Sequence, residues 1–397
     1  VEMKAGVEGF EFAAASCGLK EDGELDMALI LSRASAACAG VFTTNRFAAA
    51  PVLLGRQRLK AGRARAVLVN SGCANACTGE RGYQDAVESA RWLARALEVP
   101  EEEVLVASTG VIGTYLPMER IRKGIQALVR ERSCEGLPRV ARAIMTTDTR
   151  PKWTVRRIEV EGRTITLAAV AKGAGMIHPR MATMLCFVVT DASVSSSTLQ
   201  SALEEAVETS FHRITVDGDT STNDTVLILA NGAAGGAPLE EERQHLEAFR
   251  ASLCEVLQEM ALAIVDDAEG RTKVVRLVVE GALDDYCADR VARTVAHSLL
   301  VKTALYGGDV NWGRILAAVG YSGVEVDPER VDLWYGPVQL VRSGRGLGEE
   351  AERAAEEIVK KERFDIRISL GEGKGSAVLH TCDLSHDYVS INASYRT

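Results

Sequence analysis

The apolar positions of the chain fall into two rhythms. AVLVNSG (66–72) and EVLVASTG (103–110) are short apolar runs that end in small polar residues and glycine, and they read as strands. Between them, YQDAVESARWLARALEV (83–99) spaces its apolar residues helically and keeps one polar face. TITLAAVAKG, TMLCFVVTDA, DTVLILANG and KVVRLVVEG add further strands downstream. Two stretches, 239–265 and 348–363, predict long amphipathic helices, and the charged run of the second is a solvated face. The tail, DIRISLGEGKGSAVLHTCDLSHDYVSINASYRT, reads as a hairpin followed by a last strand. This mix predicts an α/β or α+β fold with more strand than a doubly wound sheet usually carries. No repeat stands out; the polar stretch 146–153 is the weakest joint, and the pattern leaves domain boundaries poorly defined.

Composition narrows the classes. With 397 residues, 47% of them hydrophobic, the chain has material for one large or two ordinary cores. A net charge of -9 offers no basic footprint for nucleic acid or an anionic membrane. No apolar run approaches the roughly 20 residues of a membrane span. The first residues lack the charged start, apolar core and cleavage pattern of a signal peptide, so the cytoplasm is the expected compartment. The nine cysteines, an odd number, mostly sit in apolar or helical company, which suits reduced thiols better than a disulfide framework. Cys73 and Cys77, in SGCANACTG, have no nearby His, which argues against zinc.

Several motifs carry less chemistry than they first promise. GEGKGS (371–376) lacks the GK[ST] ending of a phosphate loop and reads as a turn between strands. DGDTSTND (217–224) begins like a calcium loop, but its sixth position is Thr222 and its twelfth is Ile228, so no calcium site is expected. The six His residues show no paired-ligand spacing, and no metal is expected. GGDVNWGRI (307–315) reads as a turn carrying a helix N-terminus, with Arg314 pairing a carboxylate.

One stretch, GAGMIHPRMATMLCFVVTDA (173–192), is less easily explained. Thr183 stands at the mouth of a strand, where a threonine alone is ordinary. Its company is not. Lys172 and two glycines precede it in a loop where backbone can approach a ligand closely. STG (108–110) offers a hydroxyl and a glycine N–H suited to an oxyanion, and 212–225 is crowded with short polar groups.

Taken together with AGVFTTN (39–45), NSGCANACTG (70–79), MTTDTRPK (145–152), DAEGRTK (267–273), YGGDVNWGRI (306–315) and INASYRT (391–397), these segments make the chain resemble the glutamate N-acetyltransferase (ornithine acetyltransferase) family of arginine biosynthesis. The resemblance implies a layered α-β-β-α sandwich of the ornithine acetyltransferase and β-aminopeptidase kind. It also implies a precursor that cuts itself between Ala182 and Thr183, giving an α chain of residues 1–182 and a β chain of residues 183–397. Thr183 would then be an N-terminal nucleophile whose own amine serves as base. By matching positions, Thr109 and Gly110 would form the oxyanion hole, and Thr147, Lys172, Thr183, Glu269, Asn392 and Thr397 would contact substrate. Lys172 suits a carboxylate and Glu269 an ammonium, although the pair also reads as a solvated ion pair and Asn392 as a turn residue. Thr397 is expected to bring a terminal carboxylate to the substrate's amino group.

The implied reaction moves acetyl from N2-acetyl-L-ornithine to L-glutamate by ping-pong kinetics, with no cofactor; some family members also take acetyl from acetyl-CoA. The implied assembly is two α and two β chains or larger. Cys73, Arg180 and the DAEG run depart from the commoner family residues, which bears on loop packing and substrate preference rather than on the nucleophile. Two rivals stay open. A related N-terminal-nucleophile aminopeptidase would release acetate without glutamate. A non-catalytic amino-acid-binding protein would remain uncut and silent.

Overall fold

The computed structural model describes residues 6–20, 23–178 and 184–394. These fold into two compact units: one formed by residues up to 212 together with 219–264, the other by 213–218 and 265–396. The fold is mixed α/β, as the apolar rhythms predict.

The first unit is built on eight strands: β1 (Phe10–Ala15), β2 (Met27–Phe42), β3 (Arg63–Cys73), β4 (Val104–Val111), β5 (Lys152–Val160), β6 (Arg163–Lys172), β7 (Leu185–Thr190) and β8 (Thr225–Ala230). They form one sheet ordered β4-β3-β2-β8-β7-β6-β5, with β1 also on β2. The long β2 carries both halves: its first part pairs with β1 and β3, its last with β8, across a register shift between Leu31 and Ala36. Side chains alternate across the strands. Phe10, Phe12, Ile30, Val67, Val69 and Leu105 face one way and share a core with Val170, Phe187, Val189, Leu227 and Leu229 of the other half. The bent sheet thus packs on itself, the two inner layers of the expected sandwich.

The alternate residues Met27, Leu29, Leu68, Val104 and Val106 face outward. There they meet α1 (Ala50–Arg58), α2 (Gly79–Leu97) and α3 (Met118–Glu131) through Leu54, Leu93, Ile121, Ile125 and Leu128. A short α4 (Leu137–Ala143) closes the inner core through Leu137 and Val140. Two helices complete the unit: α5 (Ser196–Glu208), which packs on β2, and α6 (Arg243–Val265), where Arg250 pairs with Glu205. Each fully buried Leu or Phe in these layers contributes roughly 1.5–3 kcal/mol over exposure.

The second unit has six strands: β9 (Val274–Ala282), β10 (Asp332–Tyr335), β11 (Val338–Arg342), β12 (Arg345–Gly346), β13 (Arg363–Ser369) and β14 (Gly375–Cys382). Their order is β12-β11-β10-β13-β9-β14. Val275, Leu277, Val279, Phe364, Ile366, Ile368 and Leu379 make one buried face. Against it pack helices α7 (Asp285–His297), α8 (Leu299–Gly307), α9 (Trp312–Gly320) and α10 (Glu349–Val359), supplying Val291, Leu305, Ile315 and Ile358. The intervening strand positions carry ion pairs, Arg276 with Asp365 and Arg367 with Glu280. Helix α11 (His386–Ser394) ends the described chain.

The tail corrects two expectations. GEGKGS is a turn between β13 and β14, but these strands do not form a hairpin: β9 lies between them, parallel to one and antiparallel to the other. The last segment, DYVSINAS, belongs to α11 rather than to a strand. GGDVNWGRI is the expected turn and helix start, with Asn311 capping α9 by accepting from the Arg314 N–H. Among the described residues, however, Arg314 pairs no carboxylate; its guanidinium donates to the Leu300 carbonyl. All nine cysteines are unpaired, and burial pushes the Cys38 and Cys186 thiols well above their usual range. No described helix is long and apolar enough to cross a membrane.

Candidate active site

In the first unit the C-terminal ends of β4 and β6 meet the N-terminal ends of β7 and β8. Thr109 and Gly110 close β4, where parallel pairing sets them beside Ser71 and Gly72 of β3. The strands approach so closely that a Cβ on Gly110 would sit 2.4 Å from the Gly72 carbonyl carbon, and φ there is 130°. Only glycine fits that corner, and it leaves the backbone open to a ligand. Thr109 itself is buried.

Lys172 ends β6 with only 2% of its surface exposed. Its ammonium donates to Thr146 Oγ1 at 2.7 Å and makes a longer contact of 3.4 Å to Thr109 Oγ1. An ammonium only donates, so the Thr109 oxygen is the acceptor here and its own proton is free to point elsewhere. That is the orientation an oxyanion donor needs. Thr147 lies beside Thr146 and is partly exposed.

Asp148 anchors this corner, a role the sequence alone did not reveal. Its carboxylate accepts from the Lys152 ammonium at 2.6 Å, the Gly173 N–H at 2.7 Å and the Thr146 N–H at 3.0 Å, with Lys172 Nζ at 4.0 Å. Burial by itself would raise this carboxyl. The two lysines and the N–H donors outweigh it and hold the group down at about 2.

A second polar group enters from the residues before β8. Asn223 donates both amide hydrogens, to the Ala74 carbonyl at 2.7 Å and the Ser108 carbonyl at 2.8 Å. Thr222 Oγ1 donates to Asn223 Oδ1 at 2.6 Å and so fixes which way that amide faces. Asp224, wholly buried, accepts the Met184 N–H at 3.0 Å. Burial pushes the Asp224 carboxyl well above the usual range, against the downward pull of that N–H and of Lys172. In the sequence, 212–225 is only a crowd of short polar residues; the partners that give Asn223 and Asp224 meaning lie far away in the chain.

The second unit holds two more of the expected residues together. Glu269 Oε2 accepts from Asn392 Nδ2 at 2.7 Å, and the same amide donates to the Tyr388 carbonyl at 3.0 Å. The loop bearing Glu269 is tied to the start of α11 by Ser385 Oγ, which donates to the Gly270 carbonyl at 2.5 Å. Asp383 accepts from the Thr272 and Lys273 N–H groups at 2.9 Å each. Asn392 is therefore a helix residue rather than a turn residue. Lys172 and Glu269 are both buried rather than solvated, each with a partner in its own unit. Ala182, Thr183 and Thr397 lie outside the described residues. The described chain resumes at Met184, whose amide belongs to the peptide bond that follows residue 183.

The chain is similar to known proteins over nearly its whole length. The sequence profile of the ArgJ family matches residues 11–397. The arginine biosynthesis bifunctional protein ArgJ of Geobacter sulfurreducens is 52% identical over 391 residues, covering 98% of this chain and 100% of that protein. The protein of the same name from Symbiobacterium thermophilum is 50% identical over 391 residues, covering 98% of this chain and 97% of its own. Among solved structures, the arginine biosynthesis bifunctional protein argJ of Bacillus halodurans is 41% identical with a TM-score of 0.50, covering 53% of this chain and 98% of that one.

Proposed function

The chain belongs to the ArgJ family of arginine-biosynthesis acyltransferases, and from that premise we propose that it moves acetyl from N2-acetyl-L-ornithine to L-glutamate through Thr183. In this reading the Thr183 hydroxyl first attacks the Ala182 carbonyl carbon. The C–N bond between the two residues breaks, an ester forms, and the hydroxyl proton ends on the released amine. Water hydrolyses the ester and leaves Thr183 as an N-terminus. A free α-amine has an ordinary pKa of about 7.7–8.0, so it serves as base for its own hydroxyl near neutral pH. The hydroxyl then attacks the acetyl carbonyl of the donor, and ornithine departs with the proton. The amine of glutamate attacks the acetyl-threonine ester, giving N-acetylglutamate and free Thr183.

The observation that carries this reading is the Lys172 ammonium against Thr109 Oγ1. With the Thr109 oxygen accepting from Lys172, the hydroxyl keeps its proton for another acceptor, and together with the Gly110 N–H it would form a donor pair for the negative oxygen of each tetrahedral intermediate. Thr147, Lys172, Glu269, Asn392 and Thr397 are the proposed substrate contacts, with Lys172 drawing a carboxylate and Glu269 an ammonium. Acetyl-CoA is proposed as a second donor, because the named relatives are bifunctional proteins. The assembly is proposed to hold two copies of each chain or more, in the cytoplasm and without cofactor.

A steady-state assay tests the proposal. With acetylornithine as donor, N-acetylglutamate should form only when glutamate is present, and varying both substrates should give the parallel lines of a ping-pong reaction. Thr109→Ala should lower kcat by about 10²–10³, the usual cost of one oxyanion donor. Release of free acetate in the absence of glutamate, at the rate of turnover, would make the enzyme a hydrolase instead.

A further inference from the structure

Two consecutive side chains at the entrance to β8 hold both halves of the catalytic corner. The amide of Asn223 binds the carbonyl of Ser108, the residue before Thr109, and the carbonyl of Ala74. The carboxyl of Asp224 binds the N–H of Met184, the residue after Thr183. Resting on the reading above, we infer that Asn223 and Asp224 form a positioning pair that fixes the distance between the oxyanion-hole strand β4 and the nucleophile strand β7.

The sheet alone does not set that distance. In strand order, β4 and β7 are separated by β3, β2 and β8, so small changes in twist at each step would accumulate between them. Asn223 bypasses the intervening strands with direct bonds from the β8 entrance to the end of β4. Fixing the Ser108 carbonyl fixes the plane of the Ser108–Thr109 peptide, and with it the direction in which Thr109 leaves the strand. Met184 is bonded twice: its N–H to Asp224 Oδ1, and its carbonyl to the Thr225 N–H at 3.1 Å. The residues at the β8 entrance are themselves clamped from the loop that follows β2. The Thr43 N–H donates to the Asp224 carbonyl at 3.0 Å and the Ala49 N–H to the Thr222 carbonyl at 2.9 Å.

The chemistry of each side chain suits the task. Asn223 spends both N–H donors on backbone carbonyls, which an aspartate of the same shape could not do. Asp224 supplies the acceptor for the Met184 N–H, and a side chain without oxygen cannot replace it.

The test uses the whole chain and reads processing, kcat and KM separately. Asn223→Asp should slow self-cleavage and lower kcat for acetyl transfer by about 10²-fold, in the range of a lost oxyanion donor, with KM for acetylornithine changed less than about threefold, the split expected of an interaction realised in the transition state. Asp224→Ala, which removes the acceptor of the Met184 N–H, should likewise slow self-cleavage and lower kcat by about tenfold or more, with KM held. Thr222→Val frees the Asn223 amide without altering its donors and should give a smaller kcat loss, about tenfold, with KM again held; it carries the test if Asn223→Asp does not fold. Wild-type kcat in folded Asn223→Asp, Asp224→Ala or Thr222→Val overturns the inference, as does a loss confined to KM. A wild-type protein that neither cleaves nor transfers acetyl overturns the functional reading beneath it, and the inference with it.

Discussion

At the scale of single residues, charge does most to shape the site. Asp148 is a buried carboxylate kept ionised by two buried ammonium groups and a pair of N–H donors. Its folded value of about 2 lies below an unfolded value of about 3.9, so it stabilises the fold in full above about pH 4 and loses that contribution as pH falls through 2. The difference amounts to about 2–3 kcal/mol. Asp148→Asn leaves Lys152 and Lys172 without the carboxylate they share and should cost about 3–5 kcal/mol, read as a lower midpoint in urea at pH 7. The gap between variant and wild type should narrow as pH drops towards 2; an unchanged midpoint at pH 7 would dismiss the anchor role. Asp224 has the opposite sign: burial raises it, so its effect on stability is most favourable at low pH and is lost as pH climbs through its raised value. Neither sign is visible in the sequence, because each depends on partners brought from other strands.

At the scale of elements, what was legible was local. The buried strands AVLVNSG, EVLVASTG and TMLCFVVTDA declare themselves by continuous apolar runs, and β4 and β7 emerge within a residue or two of the expected ends. The helix of 83–99 begins somewhat earlier, at Gly79, since its polar first turn carries no apolar signal. The tail failed for non-local reasons. β13 and β14 look like a hairpin because only a turn separates them, but β9, far upstream, takes the place between them. DYVSINAS carries the β-branched Val389 and Ile391 and invites a strand; the contacts of Ser385 and Asn392 with the Glu269 loop accompany a helix instead. Thr109 and Gly110 could be proposed because a hydroxyl and a glycine stand together at a strand end. Asn223 could not, since its meaning is two carbonyls at positions 74 and 108. The β3–β4 corner gives the sharpest test at this scale. Gly110→Ala must push a Cβ into the Gly72 backbone at an unfavourable φ. It should destabilise the fold by more than about 2 kcal/mol and abolish turnover; a stable, active Gly110→Ala enzyme would mean that this corner is looser than it looks.

At the scale of the whole molecule, the position of the junction explains how a cut chain could remain one enzyme. β6 and β7 flank residues 173–184 and pair antiparallel, Lys172 opposite Leu185. In the sheet, β7 and β8 lie between β2 and β6, so strands that follow the junction are enclosed by strands that precede it. Cleavage before Thr183 would leave two chains interleaved in one hydrogen-bonded sheet and sharing one inner core. The cut would free an amine without dismantling the site built around Thr109, Lys172 and Asp148. Thr183 is the residue on which cleavage and acetyl transfer would both turn, and intact-mass spectrometry under denaturing conditions reads it directly. After mixing with acetylornithine and no glutamate, two chains are expected, the one beginning at Thr183 heavier by a single acetyl group, which glutamate then removes. A full-length mass, or an acetyl group carried on any residue other than Thr183, would contradict it.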